Sequence, residues 1–389
     1  MRGLAAQLRF GATLVFASLL GGCVFAPSTA PVVGEPSTPG APDPAALRLP
    51  KLETRHFDLA AADQELVGAT QVLFAKDENT LPGIAREYNV GFEEIKNANP
   101  GVDIWLPGEG TPIYLPTAGV LPDTPREGIV INVASMRILY YSTYRETTAT
   151  GAVDRLAVTS HPIGIGRQDW ATPLGAATVK DKARNPVWYP PASVRAEHAA
   201  NGYPLPSVVP SGPDNPLGAF ALTLTLPGYL IHGTNMPAGV GMRASHGCIR
   251  MYPEDIELLF ERVARGTPVR IVDEPVLAGW QEGVLYLEVH PPLAEDHRDL
   301  AAEADRVIAA ALAREGKIGV VVDAGAVAQV VAERRGLPFP VLASTPSPTQ
   351  YLASARVVEN TAPLSSVEPA TVEAASVEAT SVETTARAD

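Results

Sequence analysis

Apolar positions change their spacing several times along the chain, and each change marks an expected unit. A short apolar run, Val72 to Ala75, is followed by Ile84, Ala85 and Tyr88 on one helical face behind Thr80-Leu81, then by a second helical set, Phe92, Ile95 and Ala98. A Pro/Gly turn and a closing run, Ile113 to Leu115, complete the order β, α, α, β, so a small two-layer module is expected over residues 67–118. From Gly128 onward the pattern is that of short strands: Ile129 to Val133, Arg137 to Tyr141, Leu156 to Ser160, Ala176 to Lys180, Phe220 to Thr225 and Val269 to Val272. One helix interrupts them, Pro253 to Arg265, with Ile256, Leu259, Phe260 and Val263 on one side. Residues 126–273 are therefore expected to be mainly β (α+β), a β-sandwich-like or barrel-like core with a few helices.

Further on, a strand Gly283 to Val289, a helix Leu293 to Arg314, a strand Ile318 to Val322 and a helix Val327 to Arg334 suggest a C-terminal α/β appendage over residues 274–345. Its sequence assigns it no role. From about Ser354 the chain repeats Ser/Thr-Val-Glu, with Val367, Val372, Val377 and Val382 five apart, a spacing that fits neither helix nor strand. Residues 346–389 are accordingly expected to be a disordered tail. At the other end, Val24 to Pro50 is mostly Pro, Ala, Ser, Thr and Gly, and residues 24–66 are expected to be a Pro-rich tether with too little apolar surface to fold.

Arg2 and Arg9, the apolar stretch Phe10 to Leu20 and the small residues before Cys23 have the three parts of an export signal, residues 1–23. The apolar stretch falls short of the about 20 residues a membrane-spanning helix needs. The run Leu20-Gly21-Gly22-Cys23 resembles a bacterial lipobox, which implies lipidation of Cys23 and a membrane anchor; ordinary cleavage near Ala26 is the alternative. Either way the protein is expected outside the cytoplasm, in the periplasm. Val24 after the cysteine, by resemblance to lipoprotein sorting signals, favours the outer membrane.

The 43 acidic and 30 basic residues leave a net charge of -13, with no dense Lys/Arg stripe, so nucleic acid is not an expected partner. There are two cysteines. With Cys23 lipidated, Cys248 is the sole thiol in a compartment where thiols are oxidised in pairs. A free cysteine can be a small core hydrophobe, so its neighbours must decide its role.

Those neighbours are Ile231-His232-Gly233-Thr234 and, after a Gly-rich run, Ser245-His246-Gly247-Cys248-Ile249-Arg250-Met251. A thiol nucleophile needs a base to take its proton and backbone N–H groups to receive the charge that develops on the attacked carbonyl oxygen. Gly247 lets the backbone turn before the cysteine and lets substrate approach the amides of Gly247 and Cys248. Either histidine can be the base: His246 is two residues from Cys248, and His232 ends an apolar strand that can approach from beside it. No CxxC or HxxxH pair supports a metal site, so neither metal nor cofactor is expected.

These runs together resemble the signature of the L,D-transpeptidase (YkuD-type) catalytic domain, ErfK/YbiS branch. The resemblance extends to Ile163-Gly164-Ile165-Gly166-Arg167, Thr172-Pro173-Leu174-Gly175, Asn185-Pro186 with Trp188-Tyr189-Pro190-Pro191, and Asn215-Pro216-Leu217-Gly218. It implies Cys248 as nucleophile and His232 as general base, oriented by the residue after it. That residue is Gly233, so only its carbonyl can serve, a departure from the serine version. Ser245, His246, Gly247 and Arg250 are then expected to shape the site and bind substrate. Gly164 and Gly166 read more simply as turn residues.

The small module resembles a LysM module through Asn79-Thr80-Leu81, Ile84-Ala85, Asn97-Ala98-Asn99-Pro100 and Ile113-Tyr114-Leu115-Pro116, which implies binding to peptidoglycan glycan. Asn97 and Asn99 serve equally as helix-end and turn residues. The resemblance as a whole implies transfer of a peptidoglycan stem peptide from a Cys248 thioester to an acceptor amine, on a second stem or on a lysine of an outer-membrane lipoprotein. The alternatives are an L,D-carboxypeptidase, in which water is the acceptor, and an inactive glycan-binding lipoprotein.

Overall fold

A computed structural model describes residues 55–148, 151–316 and 319–364. The export signal with Cys23, the tether up to residue 54 and the Ser/Thr-Val-Glu repeats lie outside the described residues.

The central sheet has ten strands, and Gly151–Gly166 closes it. From Gly151 to Pro162 this strand pairs antiparallel with Arg137–Thr148, while Ile163 and Gly164 pair with Met251 and Arg250. The ladder returns on itself through Ile249–Met251, Leu230–His232, Phe220–Leu224, Gly175–Arg184, Pro268–Val272 and Gly128–Asn132. It is therefore barrel-like rather than two separate open layers, because a strand of 16 residues serves two neighbours in succession. Inside lie Ile129, Ile131, Ile138, Ile163, Leu222, Ile231 and Ile249, covered by Ile256, Leu259 and Phe260 of the helix Pro253–Arg262. Each such side chain contributes roughly 1.5–3 kcal/mol on burial, so the helix that follows Ile249–Met251 is held by its apolar stripe.

Residues 71–115 fold as strand Gln71–Phe74, helix Leu81–Glu87, helix Phe92–Ala98 and strand Pro112–Leu115. Thr80 starts the first helix by accepting from Gly83 N at 3.1 Å. Asn99 is buried and structural: it donates to Ile95 O and Tyr114 O and accepts from Tyr114 N.

Two segments expected to be tether and tail carry strands instead. His56–Leu59 pairs antiparallel with Gly151–Gly166, and Arg55 and His161 approach the fully buried Asp255 at 3.5 and 3.0 Å. Pro348–Ala353 is a helix, and Arg356–Val357 runs parallel to Gln71–Phe74, which places Val358 in the core of the small module. Both strands are too short, four and two residues, for alternation to announce them.

In the appendage, the expected helix Leu293 to Arg314 begins only at Leu300, where the Asp299 carboxylate accepts from Ala301 N and Ala302 N. The expected strand at Ile318 to Val322 is reduced to a single bridge between Val322 and Leu342; Ile318 itself is outside the described residues. Strands Val276–Gln281 and Val284–Val289 pack with Leu300–Arg314 and Ala324–Glu333 around Leu285, Leu287, Ile308 and Val330.

Candidate active site

Leu230–His232 and Ile249–Met251 are parallel neighbours, with Ile231 opposite Ile249 and His232 opposite Arg250. Ile231 and Ile249 are buried in the core, so alternation turns His232 and Arg250 to the other face. Cys248 directly precedes its strand. The thiol is half-buried, its Sγ lies 3.7 Å from Gly228 O, and the N–H of Leu230 faces it. The thiol thus sits beside the strand that carries His232.

His232 is buried, and its Nδ1 lies 2.6 Å from Gly233 O. A carbonyl can only accept, so Nδ1 carries the proton and Nε2 keeps its lone pair. Burial, reinforced by the Arg250 charge, brings the imidazole down to about 3, against the pull of the Gly233 carbonyl. Burial pushes the Cys248 thiol up, opposed by the Leu230 N–H and by Arg250. The resting pair is a neutral thiol and a neutral imidazole, and both feel the same Arg250 charge.

His246 stands in different company. Its ring meets Trp170 edge-on at 5.2 Å, and its Nε2 lies 3.3 Å from Glu197 Oε2 on the helix Ala192–Ala200. Glu197 is also paired with the buried Arg167. Burial and Arg167 bring His246 down to about 4, against Glu197. The two histidines thus have different neighbours, Gly233 O and Arg250 for His232, Trp170 and Glu197 for His246.

The turn before the thiol is built by hydroxyls and glycines. Ser245 Oγ donates to Cys248 O at 2.5 Å and accepts from Gly247 N at 3.2 Å; Thr172 Oγ1 donates to Gly247 O at 2.9 Å and accepts from Gly166 N at 3.0 Å. Gly247 has φ +96, and a Cβ there would meet the Tyr229 ring at 2.7 Å. The Gly247 amide is thus already engaged, and of the two amides expected to face substrate only that of Cys248 continues as a candidate. Gly166 is no turn residue: it ends a strand, where a Cβ would lie 2.9 Å from Gly247 Cα and closer still to Trp170 O. Gly164 likewise lies in that strand, with Gly239 O at 3.0 Å from the place of a Cβ.

Asn215, also buried, fixes the loop that leads into the site. It donates to Pro186 O at 2.9 Å and Pro210 O at 3.0 Å, and accepts from Leu217 N at 2.9 Å. A Cβ on Gly233 would lie 3.2 Å from Ile256 Cγ2 and 3.4 Å from Leu217 O, so the position after His232 is tight for any side chain. Thr172, Arg167, Trp170 and Glu197 received no role from sequence. Thr172 and Arg167 lie within runs that carry the resemblance, whereas Glu197 lies outside all of them.

The family model for the L,D-transpeptidase catalytic domain (YkuD) matches residues 126–271. The Escherichia coli K12 protein "Probable L,D-transpeptidase YcfS" is 43% identical over 64% of this chain and 77% of its own length. "Probable L,D-transpeptidase YbiS" of the same organism is 45% identical over 61% of this chain and 76% of its own length. "Probable L,D-transpeptidase ErfK/SrfK" of Salmonella typhimurium is 39% identical over 75% and 94%. The chain belongs to the L,D-transpeptidase family. It is an enzyme, and L,D-transpeptidases act on peptidoglycan. The L,D-transpeptidase match takes in His232, the Gly-rich segment and Cys248, whereas the small module and the appendage lie outside it.

Proposed function

We propose that Cys248 is the nucleophile of this L,D-transpeptidase and His232 its general base. The observation that carries this is the bond from His232 Nδ1 to Gly233 O, which leaves Nε2 as the acceptor on the strand beside the thiol. The thiol proton passes to Nε2 as sulfur attacks the carbonyl of the third residue, diaminopimelate, in a tetrapeptide stem. The Cys248 amide receives the charge on the carbonyl oxygen. Collapse breaks the bond to the terminal D-alanine, whose amine takes the proton from His232, and a thioester is left on Cys248. The acceptor amine gives its proton to His232, attacks the thioester and restores the thiol. Outside the cytoplasm no ATP is at hand, and the thioester conserves the energy of the bond that was broken.

The acceptor is an amine of a second stem, giving a 3-3 cross-link, or a lysine of an outer-membrane lipoprotein, giving an anchor. Transfer to water makes the enzyme an L,D-carboxypeptidase. The small module reads as LysM-like and holds glycan, and lipid on Cys23 keeps the enzyme in the periplasm at the outer membrane. Intact-mass analysis of wild type and Cys248→Ala after incubation with a disaccharide-tetrapeptide, and separately with a carbapenem, tests the reading. Loss of D-alanine with a dimeric product, and a drug adduct absent from the variant, are expected. A folded wild type with neither turnover nor adduct would leave only a glycan-binding lipoprotein.

A further inference from the structure

The small module is seated on the chain segments that flank Cys248 in sequence. Its second helix, Phe92–Ala98, begins against the Gly-rich segment that joins His232 to Cys248, where Phe92 N and Glu93 N donate to Val240 O and Gly241 O at 3.4 and 3.1 Å. Gly91 and Gly241 meet backbone to backbone. Gly241 has φ +83, and a Cβ on it would lie 2.2 Å from Phe92 N and 2.4 Å from Gly91 Cα. Phe92 and Trp105 pack, together with Ala238, on the buried Met242 and Ala244. On the other side of Cys248, Arg86 pairs with Glu254 at 3.3 Å and lies over the Tyr252 ring at 5.1 Å.

The seam is backed by buried polar groups. Glu94 accepts from Gly91 N at 2.6 Å and pairs with Arg137 at 3.0 Å; Arg137 Nε donates to Ser160 Oγ, and Asn89 Nδ2 donates to Ser160 O. A module whose whole task was to retain glycan would need none of this. It grips the chain at 238–244 before the thiol and at 252–254 after it, and two such grips fix the path of the turn between them.

We infer that this module is a positioning element of the catalytic site, with Phe92, Gly241 and Arg86 as positioning residues that set where the Cys248 turn lies. The inference rests on the reading of Cys248 as nucleophile. It places the chemistry under the control of a unit outside the family's catalytic domain. Glycan held by the module and the thiol that acts on its stem would then be parts of one rigid body.

The test uses the full chain with Gly241→Ala, Phe92→Ala and, as a control in the module's core away from the seam, Val358→Ala. Two readings are taken: the pH profile of Cys248 alkylation by iodoacetamide, and kcat and KM on a soluble disaccharide-tetrapeptide that requires no retention on sacculi. Phe92→Ala and Gly241→Ala are expected to displace the alkylation profile and to lower kcat at least tenfold, with KM changed less than threefold. Val358→Ala is expected to lower the melting temperature while leaving both readings at the wild-type value. If Phe92→Ala and Gly241→Ala only melt earlier, or if Val358→Ala displaces the profile as much as they do, the module is a structural neighbour and the inference fails. Should Gly241→Ala not fold, Phe92→Ala decides alone. Should wild type show no turnover, the functional reading falls, and the alkylation profile still decides this one.

Discussion

His232 and Cys248 are both held in their neutral forms by burial, and that has a consequence beyond the reaction. The buried imidazole lies at about 3 and that of His246 at about 4, while an unfolded chain takes up the same protons near the ordinary value of 6.5. Between those limits the unfolded state binds more protons, so stability is full above about 6.5 and declines as pH falls toward 4. The His246 share is the smaller, because that ring is partly open to solvent. At the alkaline end the sign reverses. The Cys248 thiol and the Tyr252 hydroxyl are raised by burial, and Tyr141 is pushed up to about 12, so the unfolded chain loses protons first and stability falls above about 9. Urea midpoints from pH 4 to 10 are expected to form a plateau between about 7 and 9 with both flanks falling, and His246→Gln is expected to make the acid flank shallower. A flat acid flank would mean that the histidines are not buried neutral.

Between elements, long-range pairing decides what sequence could and could not foretell. The helix Pro253–Arg262 was legible, expected to run to Arg265, because Ile256, Leu259, Phe260 and Val263 repeat at spacings that one helical face dictates. That the strand carrying His232 runs beside the one that follows Cys248 was not legible, since it depends on a parallel pairing between strands separated by the Gly-rich segment. The Arg167–Glu197 pair is the extreme case: its members are 30 positions apart and no pattern joins them. This pair, with the contact from Glu197 to His246, ties the helix Ala192–Ala200 to Arg167 and to the segment before Cys248. Arg167 is buried and Glu197 about a fifth exposed, so Glu197→Ala takes a carboxylate away from a buried guanidinium and should cost about 1–3 kcal/mol, below the 3–5 of a fully buried pair. The segment between Asn185 and Gly218 is expected to be cut faster by protease, with KM for the donor stem rising severalfold. Unchanged cleavage would show that Asn215 alone holds the segment.

At the scale of the molecule, the chain comes back to the small module. After the appendage it adds Arg356–Val357 to the small module, and Asn360 closes the seam from a buried position: its Nδ2 donates to Phe74 O at 2.9 Å and to Asn79 Oδ1 at 2.8 Å, while its carbonyl accepts from Lys76 Nζ at 2.6 Å. Tyr88 OH donates to Glu359 O at 2.5 Å on the same path. Reading the sequence as a tail from residue 346 misses this, because a two-residue strand leaves no periodicity and its partner lies some 285 residues earlier. Asn360→Ala removes the bonds donated to Phe74 O and Asn79 Oδ1 and the acceptor of Ala362 N; Asn79 Oδ1 keeps its bond from Lys76 N at 2.8 Å, so the expected cost is about 1–3 kcal/mol. The loss should appear as a lower melting temperature and as faster amide exchange in Gln71–Phe74, the strand that the returning segment covers. Exchange confined to Arg356–Val357, with Gln71–Phe74 as protected as in wild type, would show instead that the module stands without its C-terminal strand and that the return is an attachment rather than part of its core.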